Sequence, residues 1–192
     1  MDVAQKELLS VLPRDGEWTD ADYLWVSRSS RRLIELARGT LEFPPMPTAQ
    51  HQFIVGALFV ALRTFLLPRG GAVLFAPLRL KVAEGRFREP DLVALRDAQD
   101  GRSQDDFWSG ADFVVEVVSP DDPNRDLVTK RAEYAAASIP EYWIVDPRDA
   151  SVRVLTLDGG SYRDDQLVTV GTVHSRVFGG FSVAAETLFP SH

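Results

Sequence analysis

The chain has no cysteine in its 192 residues. That excludes disulfides, thiolate zinc sites, iron–sulfur clusters and a thiol nucleophile, and it is compatible with a reducing compartment. Histidine is scarce too. His51, His174 and His192 stand far apart, which argues against a histidine-rich zinc or haem site. The 21 Lys and Arg are outnumbered by 28 Asp and Glu, and the net charge of -7 opposes a broad, sequence-independent grip on nucleic acid. A polyanionic ligand would need a local basic patch or a bound cation. Long apolar runs are missing: the longest, residues 53–62, stops at Arg63, short of the ~18–20 residues that cross a bilayer. No membrane span is expected. The opening residues, Met1 to Glu7, lack the basic start and apolar stretch of a secretory signal, so the cytoplasm is the expected location. The patterns GxxxxGK, GxGxxG and GxSxG are also absent, leaving nucleotide hydrolysis, dinucleotide redox and serine-esterase chemistry without local support.

What is present suits one globular domain over residues 1–192: hydrophobic residues make up 45% and charged residues 26%. Thr19 followed by Asp22 marks a helix start. A second short helix is expected over Arg31 to Leu36, stopped by Gly39, and a strand over Thr40 to Phe43 runs into Pro44, Pro45 and Pro47. Thr48 caps a long apolar helix to about Leu67, expected to be the central buried one. Runs at 72–76, 78–83 and 91–95 read as strands of one sheet, and residues 97–110 as a loop. A strand at 112–118, a helix at about 125–138 and a strand at 141–146 form a parallel crossover. Alternation from Ser151 onward, with the turn Asp158-Gly159-Gly160, predicts antiparallel hairpins.

The absences leave carboxylate chemistry. In Phe113-Val114-Val115-Glu116-Val117-Val118 the side chains alternate faces, so Glu116 shares a face with Val114 and Val118 on a strand apolar on both sides. A buried carboxylate must be paired, hydrogen-bonded or metal-bound. Asp91, at the entrance of the strand Leu92-Val93-Ala94-Leu95, is the natural neighbour. Two such acids facing the same way repel unless a proton or cation lies between them, and their hard oxygens suit Mg²⁺ or Mn²⁺. The competing reading has Asp91 capping a turn and Glu116 meeting a buried arginine. Lys130 borders the apolar stripe of Leu127, Tyr134 and Ala137, so it either reaches the carboxylates or forms a surface pair with Asp126 at i, i+4.

The segments Ile34-Glu35-Leu36-Ala37-Arg38-Gly39, Pro47-Thr48-Ala49-Gln50-His51-Gln52, Glu89-Pro90-Asp91-Leu92-Val93 and Val115-Glu116-Val117-Val118-Ser119-Pro120 occur in that order. Asp126, Lys130-Arg131, Tyr134 and Pro140-Glu141-Tyr142-Trp143-Ile144-Val145-Asp146 follow. Together they resemble the Uma2 family of restriction endonucleases, within the PD-(D/E)xK nuclease superfamily, over about residues 18 to 189. The resemblance implies an α/β restriction-endonuclease-like core, with a mixed curved sheet flanked by helices and C-terminal antiparallel hairpins. It also implies Mg²⁺-dependent hydrolysis of DNA phosphodiesters in a site of Glu35, Asp91, Glu116 and Lys130. Asp91 and Glu116 match the metal-binding acids. Val118 stands where the superfamily has a lysine, and Lys130 matches the replacement from the next helix. Glu35 matches the acid of the first helix and would help through a bound water, while Thr40 stands where the family often has an acid. The expected assembly is a homodimer.

Other residues have two readings each. His51 and Gln52 line the site or merely begin a helix, and Arg28, Arg31 and Arg32 contact phosphate or form a solvated face. Tyr142 and Trp143 read as core and Asp146 as a strand-ending turn. The alternative to a nuclease is a catalytically silent interaction or nucleic-acid-binding module that kept the fold. A third possibility is a hydrolase of another phosphoester.

Overall fold

A computed structural model describes residues 11–189. The opening segment Met1 to Glu7 and the terminal His192 lie outside the described residues. The centre is a six-stranded sheet in the order β10-β9-β8-β7-β6-β3. Its strands are β3 (Ala72–Phe75), β6 (Leu92–Leu95), β7 (Phe113–Val117), β8 (Glu141–Asp146), β9 (Ser151–Asp158) and β10 (Ser161–Val168). Only β7 and β8 run parallel, joined by the expected helical crossover, so the sheet is mixed. The β9–β10 hairpin turns at Gly159 and Gly160, both with positive φ, as the sequence predicts.

Alternation along β7 sorts the two faces. Phe113, Val115 and Val117 enter one core with Ile54, Leu58, Leu62 and Leu66 of helix α2 (Ala49–Leu66), capped by Thr48. Val114 and Val118 enter the other core, against Tyr134 and Ala135 of helix α3 (Arg131–Ala136). Trp143 and Tyr142 divide the same way, as core residues. A small pair, β11 (Thr172–His174) and β12 (Ser182–Ala184), adds Val173 and Val183 to the first core.

A second, four-stranded sheet in the order β2-β1-β5-β4 lies alongside. It contains β1 (Glu35–Ala37), β2 (Thr40–Glu42), β4 (Leu80–Ala83) and β5 (Arg86–Arg88). Helix α1 (Asp20–Ser29) starts in a complete capping box between Thr19 and Asp22, and places Tyr23 against Ile34, Leu36 and Phe87.

Four expectations need correction. Arg31 to Leu36 forms no helix: Leu36 pairs with Leu41 and Phe87 inside a sheet, and Gly39 is the second residue of a hairpin turn with Arg38 and Gly39 both at positive φ. The match of Glu35 to a first-helix acid fails with it, since Glu35 stands on a strand. The run 78–83 does not join β3 in one sheet, because a turn at Gly85 (φ +68°) folds β4 onto β5, which pairs with β1. Finally, α2 is buried on one face only, with Val60 63% exposed on the other. The segment Ala49–Arg69 has a mean hydropathy of 1.5, apolar enough by length and composition to cross a membrane, and it lays its apolar stripe on the sheet.

The hairpin turn gives a test. Gly39 has φ +79°, and a Cβ there would stand 2.3 Å from the Gly16 carbonyl oxygen, whereas Gly16 itself (φ +88°) has open space around it. Gly16→Ala is expected to cost about 1 kcal/mol from backbone strain alone, and Gly39→Ala distinctly more, in urea denaturation.

Candidate active site

The β6–β7 ladder pairs Leu92 with Val115 and Val93 with Val114, and Asp91 precedes Leu92 while Glu116 follows Val115, so both acids stand at the same end of this antiparallel ladder. Asp91 is held there by its Oδ2, which accepts the Val117 backbone N–H at 2.7 Å and lies 3.1 Å from His51 Nε2. His51 thus reaches the site from the first turn of α2, whose N-cap Thr48 accepts the His51 N–H. Asp91 does not merely cap a turn, and among the described residues Glu116 meets no arginine.

Glu116 is buried, and its Oε1 accepts the Tyr134 hydroxyl at 2.5 Å and lies 2.9 Å from Lys130 Nζ. Lys130 arrives from the π-helical turn Arg125–Lys130, whose wide winding turns both Asp126 and Lys130 inward. Lys130 Nζ also lies 3.2 Å from Asp126 Oδ1 and 3.7 Å from Glu35 Oε1. The Asp126–Lys130 pair is therefore buried, not a surface pair. Asp126 was expected only as a surface partner of Lys130 and not among the catalytic or metal-binding residues. Its i, i+4 spacing from Lys130 was the available signal, and its burial depends on Tyr142, whose hydroxyl donates to the Asp126 carbonyl.

Glu35 is differently engaged. Its Oε2 accepts from Arg88 Nη1 at 2.7 Å and Arg125 Nη2 at 2.5 Å, and its Oε1 accepts the Glu89 N–H at 3.1 Å. Arg88, itself buried, also binds Glu133 and Glu42. Both oxygens of Glu35 are thus committed to the protein, and Glu35 meets the other acids through Lys130.

The electrostatics follow from this packing. Burial works against the charge on Glu35, but Lys130, Arg125 and Arg88 overcome it and hold its carboxyl down to about 2. Burial pushes Glu116 up to about 8; Lys130 opposes the shift, while Asp126, Asp91 and Glu35 reinforce it. Burial likewise raises Asp126, with Lys130 opposing and Asp91 adding to the rise. Burial disfavours the Lys130 ammonium, yet Glu116, Glu35 and Asp126 outweigh it and raise its pKa. Lys130 is therefore a fixed cation facing three acids, of which Glu35 is also bound by Arg88 and Arg125 while Glu116 and Asp126 have no arginine partner among the described residues.

Among the described residues no three His, Asp or Glu side chains stand in a ready metal-binding group. The donor chemistry nonetheless fits a divalent cation. The contacts of Asp91, Glu116 and Asp126 fall on Asp91 Oδ2, Glu116 Oε1 and Asp126 Oδ1, and their second oxygens take part in none of them. Three carboxyl groups crowd one ammonium, and the rise of Glu116 caused by burial, Asp126 and Asp91 is what a Mg²⁺ or Mn²⁺ shared between their hard oxygens would relieve. Val118 is buried among apolar side chains. Arg28 pairs with Asp106 at 2.5 Å on the exposed side of α1. Asp146 accepts the Arg148 N–H and closes a turn, as expected.

Residues 20–186 match the family described as "Uma2: Putative restriction endonuclease". Among solved structures, a chain from Anabaena variabilis ATCC 29413, titled a "putative nuclease belonging to DUF820", superposes with a TM-score of 0.67 at 17% identity. The likeness covers 86% of this chain and 96% of that one, and it establishes the fold. No curated protein matches.

The ion cluster predicts a pH dependence. The folded-state pKa of Glu35 is depressed from 4.5 to about 2, so its contribution to stability is present above pH 4.5 and is lost as pH falls toward 2. Glu35→Gln is expected to remove an acid-labile component on the order of 3 kcal/mol from chemical denaturation curves measured between those limits.

Proposed function

Because this chain belongs to the Uma2 family, we propose that it is a metal-dependent endonuclease hydrolysing DNA phosphodiester bonds. The observation that carries this reading is Asp91 and Glu116 at the same end of the β6–β7 ladder, with Asp91 fixed by the Val117 N–H and Lys130 on Glu116 Oε1. Asp91 and Glu116 would hold Mg²⁺ or Mn²⁺. A cation bound there supplies Lewis acidity, offsetting charge on the phosphorane-like transition state and lowering the pKa of an attacking water.

The chain's own groups do the positioning. The Val117 N–H and His51 fix the Asp91 carboxylate, and the Tyr134 hydroxyl fixes Glu116. Lys130, held charged, orients the water or offsets charge on the phosphate. Glu35 keeps Lys130 in place, and its committed oxygens favour this anchoring role over direct contact with a bound water. Cleavage of both strands would take two sites, so a homodimer at micromolar concentration is the expected result of light scattering.

A second reading, the catalytically silent module, is favoured by one feature: the Lys130 ammonium already stands among the acids where a cation would be shared. The two readings separate in one experiment, calorimetric titration of Mg²⁺ or Mn²⁺ followed by addition of supercoiled plasmid. The nuclease reading expects metal binding that Glu116→Gln abolishes, and plasmid nicking that Asp91→Asn reduces at least ~100-fold. Asparagine can still accept the Val117 N–H, so Asp91→Asn should melt within a few degrees of the wild type. Full activity in Asp91→Asn would overturn the assignment, and the absence of metal binding and nicking in the wild type would support the silent module.

A further inference from the structure

We propose that the proline-rich strap of residues 43–48 is the substrate-facing rim of this site, where Phe43 and Met46 receive an unstacked nucleobase and Arg31 and Arg32 bind its flanking phosphates. The proposal rests on the nuclease reading and adds to it how the nucleic acid is gripped.

Both ends of the strap are tied to the acid cluster. Glu42, immediately before it, binds Arg88 Nη1 at 2.5 Å and pairs in register with Glu35. His51, three residues beyond it, lies on Asp91. The chain between them therefore runs from the β1–β2 side of the cluster to the α2 side. Pro44, Pro45 and Pro47 fix their own φ angles and hold the preceding residues extended, so the strap is stiff.

Two side chains on the strap, Phe43 and Met46, stand outside the packed cores. Phe43 is 51% exposed and Met46 82%, and neither belongs to any of the three apolar clusters. Beside them, the Arg32 guanidinium lies 5.3 Å from the centroid of the Phe43 ring. The Arg32 backbone is pinned by Ser30, whose Oγ accepts the Arg32 N–H and donates to its carbonyl. Arg31 and Arg32 are exposed and form no ion pair with an acid among the described residues, unlike Arg28. An aromatic face, a polarisable thioether and two unpaired guanidinium groups on a rigid support suit a base that stacks and phosphates that need counter-charge. The unpaired positive charge selects a polyanion over an apolar protein partner. Rigidity limits the entropy lost on binding.

The test uses an oligonucleotide carrying 2-aminopurine at an unpaired position, bound in Mg²⁺ by the Asp91→Asn protein so that it stays intact. Binding is expected to quench the fluorescence. Adding Phe43→Ala should relieve the quenching and weaken affinity about tenfold, and adding Arg32→Gln should weaken affinity with a shallower salt dependence. Thermal melting should be unchanged in both variants. If Phe43→Ala binds and quenches like its parent, the strap proposal fails while plasmid nicking by the wild type still supports the nuclease. If the wild type neither binds nor nicks DNA, both fail.

Discussion

An ammonium group with almost no access to water can stay charged only if acids surround it, and the Lys130 ammonium organises this end of the molecule. Its three carboxylate contacts come from three different parts of the fold. Glu116 is on the large sheet, Glu35 is on the small sheet, and Asp126 is in the wide helical turn that also carries Lys130. The lysine is thus where the two sheets and the crossover connection meet. Removing its charge would leave buried acids uncompensated, a penalty larger than the net worth of an intact pair. Arg88 repeats the arrangement one layer out, gathering Glu35, Glu42 and Glu133, so Glu35 is shared by two cationic centres. That sharing fixes Glu35 as an anchor and leaves Asp91, Glu116 and Asp126 as the acids with oxygens to spare.

Much of this was legible in local sequence because it depends on alternation. A strand apolar on both faces with one acid in it can be read directly, and both cores divide β7 as its period of two requires. The Asp91–Glu116 juxtaposition follows once β6 and β7 are neighbours. Glu35 was misread because Leu33 and Leu36 fit a helical spacing while Ile34 and Leu36 fit a strand, and only pairing with β2 and β5 decides between them. The strand β5 went unnoticed because Arg86-Phe87-Arg88 is mostly charged, and what buries Arg88 is three glutamates distant in sequence. The Asp126–Lys130 spacing was visible, but its burial is a tertiary fact supplied by β7 and β8.

Burial alone does not distinguish a structural acid from a reactive one, and Glu141 shows why. It is fully buried, yet its two oxygens accept from Trp143 Nε1, Ser175 Oγ and the N–H groups of Arg176 and Val177. Those bonds tie β8 to the loop ahead of β12 and leave the carboxylate saturated. Glu116, equally buried, takes only a hydroxyl and an ammonium, both on one oxygen. Unused acceptor capacity separates Glu116 from a saturated buried acid such as Glu141.

The overall acidity of the chain sharpens this contrast. Many of its arginines are spent on internal acids: Arg102 on Asp100 and Asp112, Arg131 and Arg153 on Asp164, Arg148 on Asp146, and Arg176 on Asp165. A polyanion approaching such a surface meets little long-range attraction, so recognition must be short-ranged and confined to places where positive charge is left over. A cation among Asp91, Glu116 and Asp126 would create one such place, and the unpaired Arg31 and Arg32 beside the strap are another. The two places are linked along the chain, because Arg32 stands over Phe43 on the strap that runs from Glu42, bound to Arg88, to His51, which lies on Asp91.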